Sequence, residues 1–194
     1  MAVGNEESVV RGECLCRECA RSGPTCCKSD ASQRHLSFPL SEEEWKRMLP
    51  YAHAAHDKFG VPDIRPEIRV DEPNSPEFVD AMICIFPGED KVLKRLFPEG
   101  GRHWRLKTGP DGGCVFLGET GCILPRDVRP WYCRLFPAWM NRGAVTIFLA
   151  DECLIAHKAK TPAGGLFLLK TSVNEVARLY ARLRKDWGLP PTPS

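Results

Sequence analysis

The sequence predicts an α+β fold: a single compact domain with several helices, a small strand cluster and cysteine-bearing loops around metal. Three observations lead there. Ser-x-x-Glu boxes at Ser41 and Ser172 open apolar patterns of helical period near the two ends of the chain. Short β-branched or aromatic runs between Gly- and Pro-rich turns mark strands in the middle. Ten cysteines, well above ordinary usage, fall in the irregular stretches between these elements. A chain of 194 residues with 43% hydrophobic content spread along its length is enough to enclose one core.

Residues 1–10 lack the basic start and apolar stretch of an export signal and are read as a flexible N-terminus, with the domain spanning 11–188. Residues 11–30 are rich in Cys, Gly, Ser, Pro and charge without any period, so they read as an irregular, ligand-bearing loop. Ser41 and Glu44 then open an amphipathic helix through Trp45, Met48, Leu49, Ala52, His56 and Phe59, stopped by Gly60 and Pro62. The proline-rich stretch from Pro62 to Pro76 reads as extended, with a short strand around Ile68.

Ser75 with Pro76 caps a helix to about Phe86, placing Phe78, Val79, Met82, Ile83 and Phe86 on one face and Cys84 on the other. Gly88 to Phe97 reads as another short helix, ended by Pro98 and Gly100-Gly101. His103 to Lys107 and Cys114 to Leu117 flank a turn-rich segment, the pattern of a hairpin, and a second turn at Gly118 to Gly121 leads to Cys122. A helical turn is expected from Pro130 to Phe136, and a buried strand from Ala144 to Ala150. The last helix runs from Ser172 through Val176, Leu179, Tyr180, Leu183 and Trp187 to Gly188, and Leu189 to Ser194 reads as a disordered tail.

Charge dictates no partner. Lys and Arg total 27 against 25 Asp and Glu, a net +2 that lacks the electrostatic footprint of a nucleic-acid binder. No run approaches the roughly 20 apolar residues that span a bilayer, so no membrane is expected. Without an export signal the expected location is cytoplasmic, and in a reducing compartment cysteine enrichment points to metal ligation rather than disulfides. A protein partner is left open.

The cysteines form two groups. The first is Cys14, Cys16 and Cys19, followed by adjacent Cys26 and Cys27. Cys16 and Cys19 have the spacing that lets one turn aim two thiolates at a metal while its backbone N–H groups face the sulfurs. Neighbouring side chains diverge, so Cys26 and Cys27 suit two separate sites or a multinuclear cluster. The second group, Cys114, Cys122, Cys133 and Cys153, sits beside turn residues and apolar anchors, as expected of ligands drawn from several loops of one core. The segment from Cys14 to Asp30 has almost no apolar content, so metal is expected to help order it.

Taken together, Cys16-x2-Cys19, Cys26-Cys27, Cys114-x-Phe-Leu, Cys122, Arg129-Pro130-x2-Cys133-Arg134-x-Phe136-Pro137 and Cys153 resemble the YkgJ-type cysteine-cluster family, a zinc- or iron-chelating domain. The resemblance covers residues 14 to 155 and implies eight metal ligands: Cys16, Cys19, Cys26, Cys27, Cys114, Cys122, Cys133 and Cys153. Cys14 and Cys84 are left over. The family has a shorter spacer before its Cys-Cys pair than the six residues Ala20 to Thr25, which leaves Cys14 as a candidate substitute ligand.

The implied cofactor is an iron–sulfur cluster, of the [4Fe–4S] type, or zinc, serving redox, sensing or storage. A related cluster occurs in the flagellin lysine methylases, so an iron–sulfur-dependent protein-modifying enzyme is an alternative; a structural zinc module for protein or RNA contacts is another. No Gly-rich phosphate loop, His-Glu-x-x-His or Cys-x3-Cys-x2-Cys run is present, and no catalytic residue is assigned. None of the five histidines is given a role. Arg126, Arg129 and Arg134 flank Cys133 and could offset the roughly −2 charge that four thiolates leave around zinc or a cubane. The run Arg178, Arg182, Arg184 and Lys185 reads as a solvated helix face.

Overall fold

The computed structural model describes residues 18–21, 25–28, 37–52, 67–148 and 153–191, so Cys14, Cys16 and the first helix beyond Ala52 lie outside the described residues. The fold is α+β, with helices packed around small antiparallel sheets. Helix α1, Glu42–Met48, begins at the expected capping box: the Ser41 hydroxyl accepts from Glu44 N, and the Glu44 carboxylate accepts from Ser41 N. A 3-10 turn, Leu49–Tyr51, continues it. Strand β1, Arg69–Pro73, precedes α2, Pro76–Ile85, whose Ser75 cap and buried Phe78 and Met82 follow the apolar period. Cys84 faces outward on α2 as expected. Helix α3, Asp90–Leu96, buries Leu93.

Strand β2, Arg102–Leu106, is where sequence expectation and structure diverge. The hairpin expected between His103–Lys107 and Cys114–Leu117 does not extend into a ladder beyond Val115 N donating to Lys107 O at 3.1 Å, while the other edge of β2 pairs along its length with β1, from Arg69 opposite Leu106 to Pro73 opposite Arg102. The turn-rich segment is closed instead by an isolated bridge, Thr108 to Cys114, and by Gly109 N donating to Gly113 O at 2.8 Å. The second edge gains no ladder because the chain turns after Cys114, with Leu117 N donating to Cys114 O at 2.8 Å, and Leu117 pairs with Cys122.

Strands β3, Leu117–Gly118, and β4, Gly121–Cys122, form the expected second turn. Helix α4, Trp131–Leu135, follows Pro130. Next come β5, Ala138–Asn141, and β6, Ala144–Ile147, an antiparallel hairpin turned by Arg142 and Gly143, both at positive φ. The strand expected to be buried from Ala144 is exposed at Ala144 and only half-buried through Ile147, because it is the outer arm of this two-stranded hairpin; Leu149 and Ala150 lie outside the described residues.

Helices α5, Leu154–Lys158, and α6, Pro162–Leu169, precede α7, Val173–Asp186, which closes at Gly188 with φ of 71°. The tail expected to be disordered from Leu189 is packed at its start: Leu189 is buried, and Pro190 O accepts from Arg184 Nε at 2.8 Å. Residues 192–194 lie outside the described residues. Arg184, read from sequence as part of a solvated face, is itself buried and forms a two-pronged ion pair with Glu89 at 2.6 and 2.8 Å.

Two apolar clusters hold these elements. The larger centres on Phe78, Met82, Phe86, Trp139, Leu179 and Leu183; the smaller on Met48, Ile68, Val115, Phe116 and Leu124. Burying each such side chain contributes about 1.5–3 kcal/mol by area transfer. The cysteine-bearing loops run along the seam between the clusters, with Cys114 and Cys122 packed against the smaller and Tyr132 against the larger. No helix among the described residues is long and apolar enough to cross a membrane.

Candidate metal centre

Backbone contacts draw the two cysteine groups together. Cys114 N donates to Cys27 O at 2.8 Å, and Lys28 bridges Gly113, so the early loop is laid against the segment after β2 although some 85 residues separate them. Thr25 Oγ1 accepts from Cys27 N at 3.3 Å and fixes that loop from within. Cys122 arrives on β4, whose register with β3 is set by the Gly118–Gly121 turn. Cys153 caps α5, which is linked to the Cys19 turn by an exposed ion pair, Lys158 Nζ to Glu18 at 2.7 Å.

The outcome is one shared cavity of about 120 Å³ lined by Cys19, Cys26, Cys27, Cys114, Cys122, Cys133 and Cys153. Thus seven of the eight expected ligands meet at one place; the eighth, Cys16, lies outside the described residues. Cys84 lines neither this cavity nor the adjoining one. That neighbour, about 260 Å³, shares Cys26, Cys27, Cys114, Cys133 and Cys153 and extends past Phe38, stacked on Tyr132 at 3.4 Å between ring centroids. Among the described residues, no group of three or more His, Cys, Asp or Glu side chains stands in a geometry already closed on one ion.

Electrostatics reflects the crowding of thiols. Cys26 hydrogen-bonds Cys27, which raises its own pKa and lowers that of Cys27 to about 7; burial and the neighbouring Cys133 and Cys19 push Cys26 further up. The Thr25 hydrogen bond and the Arg129 guanidinium help hold Cys27 down against burial. Cys133 faces the cavity and is accessible through it, yet protein surrounds it, so burial first and then Cys27, Cys114, Cys122 and Glu44 raise its thiol well above the ordinary value. Burial likewise raises Tyr132 beside it. Such thiols are proton-bound until a cation displaces the protons.

Of the three arginines flanking Cys133, only Arg129 lines the cavity, where it donates to Leu124 O at 3.0 Å and Cys122 O at 3.3 Å. Arg126 is exposed, and Arg134 turns away to Asp127 O and Glu175. From the sequence Glu44 is a helix-capping residue. Its carboxylate also accepts from Trp131 N at 2.7 Å, at the start of the Cys133 helix. The sole sequence signal for that role is a glutamate one turn ahead of an apolar stripe. Phe38 and Tyr132 also line the site and carry no local signal of it, whereas Phe136, which lines it too, belongs to the Arg129–Pro137 motif.

Comparison with known proteins finds no matching family model, no similar curated protein and no similar solved structure.

Proposed function

We propose that the chain is a metal-binding protein that holds an iron–sulfur cluster, of the [4Fe–4S] type, through thiolates drawn from Cys16, Cys19, Cys26, Cys27, Cys114, Cys122, Cys133 and Cys153. The observation that carries this reading is the convergence of seven of these cysteines, from loops far apart in sequence, on one cavity. The donor set fits: among the described residues no histidine or carboxylate lines the cavity, and a thiolate set suits iron–sulfur or zinc rather than magnesium, calcium or manganese. A zinc ribbon presents two Cys-x2-Cys knuckles, whereas this sequence has one, Cys16-x2-Cys19, which favours the cluster.

The surrounding residues fit as well. Phe116, Leu124 and Ile155 keep the walls apolar, and Arg129 supplies positive charge beside thiolates that would otherwise repel one another. Both features tune a cluster's potential when it is bound, and one-electron transfer is the chemistry it supplies. The reading agrees with the YkgJ-type resemblance and with a reducing, cytoplasmic setting in which thiols persist. Anaerobically purified protein should be brown, contain iron and acid-labile sulfide, and give a paramagnetic resonance signal on reduction. Colourless protein loaded with zinc would replace the cluster by a zinc site; protein that retains and takes up neither would overturn the proposal.

A further inference from the structure

Helix α4 carries Cys133 and buries Trp131 and Leu135, but it has no cap of its own. It is five residues long, far below the length at which a helix is stable alone, and its N-cap Pro130 provides no side-chain hydrogen bond. The missing cap comes from elsewhere in the chain. Glu44, buried at 1% exposure, accepts from Trp131 N through Oε1 at 2.7 Å, across 87 residues. Its Oε2 accepts from Ser41 N at 2.9 Å, Ser41 Oγ at 2.7 Å and Trp187 Nε1 at 3.3 Å. One carboxylate therefore caps α1 and α4 together and ties both to the end of α7.

We propose that Glu44 is the positioning residue for Cys133, an inference that rests on reading the cysteine cavity as a metal centre. All four of its partners are donors, so a carboxylate is required: an amide would set an N–H₂ against an N–H on one side. The rest of α1 reinforces the bracket. Arg47 donates to Val128 O and Arg129 O, both at 3.1 Å, and lies 4.2 Å from the Trp131 ring centroid, with Arg134 5.1 Å from the same ring. Trp131 Nε1 donates to Asp186 at 2.6 Å. The thiolate two residues on is thus aimed by α1 together with the buried Trp131 and Leu135 of its own helix.

Two variants separate reach from charge. Glu44→Asp keeps the charge but falls one methylene short of Trp131; Glu44→Gln keeps the length but loses an acceptor. Ser41→Ala disturbs only the α1 side of the bracket. Hydrogen exchange on the full chain should show residues 131–136 exchanging about tenfold faster in both Glu44 variants relative to the β1–β2 ladder, from loss of one charged hydrogen bond. Ser41→Ala should leave 131–136 unchanged. In metal-loaded protein, release to a chelator should accelerate by a similar factor in the Glu44 variants alone.

Unchanged exchange over 131–136 would overturn the proposal. So would equal acceleration in the β1–β2 ladder, which would mark a loss of global stability only. Wild-type chain that takes up no metal would overturn the metal reading while the exchange measurement on metal-free protein still decides the role of Glu44 in holding α4, so the two fail separately.

Discussion

Cys133 and Cys84 are the same residue in opposite circumstances. Cys84 sits on the outward face of α2, while Cys133 faces six other cysteines across the cavity and has a strongly raised thiol pKa. Serine is nearly the same size but a poor ligand for a soft metal, so Cys133→Ser should lose most bound metal and Cys84→Ser none, measured as metal per folded chain by plasma mass spectrometry. His103 makes a second prediction at this scale. It stacks on Phe78 at 3.8 Å, and its Nδ1 lies 2.9 Å from Asn74 Oδ1. The Asn74 amide nitrogen donates to Pro98 O, so the Oδ1 accepts and His103 donates as a neutral ring.

Burial lowers the His103 pKa to about 4. Between that value and the ordinary 6.5, the unfolded chain binds a proton that the folded one refuses, so stability rises with pH across this window and its full contribution is present above it. The contribution is on the order of 2 kcal/mol after allowance for solvent screening. The urea midpoint should climb from pH 4 to 6.5 in the wild type, and the climb should be shallower in His103→Gln.

At the level of elements, the end of the chain acts as a clasp. Arg184 binds Glu89 at the start of α3 and the Pro190 carbonyl, and Leu189 fills the larger cluster. Glu89→Ala would leave the buried guanidinium without its counter-charge and should cost about 3 kcal/mol. Truncation after Gly188 should cost about 2–3 kcal/mol, read by urea denaturation, through loss of the Leu189 packing and the Pro190 acceptor. The proline-rich composition of 189–194 hid this, because composition reports what a segment can do alone and not which arginine its carbonyl will meet. The β5–β6 hairpin was hidden for a related reason: its turn places Arg142 at positive φ, a position usually marked by Asn or Gly.

For the whole molecule, a metal held by loops from both apolar clusters should couple their stabilities. Metal at 100 times its dissociation constant adds about 2.7 kcal/mol, and for a chain of this size that raises the melting temperature by about 5–10 °C. Calorimetry before and after chelation should show this shift, and Cys133→Ser should abolish it. Unequal melting of the two clusters after chelation is also expected, because the cavity lies along their seam.

The sequence by itself determined what local chemistry encodes. Capping residues and apolar period set α1, α2 and α7, and flanking breakers bounded α3; Gly118 and Gly121 set the β3–β4 turn; and the motifs that carry the family resemblance named the seven cysteines that line the cavity. Tertiary structure alone decided that β2 pairs with β1, that Arg129 rather than Arg126 or Arg134 lines the cavity, and that Glu44 caps the Cys133 helix. These are long-range choices among partners of similar local merit. A strand, an arginine or a buried carboxylate can satisfy its hydrogen bonds in several ways, and only the packing of the complete chain selects the one that leaves fewest polar groups unpaired.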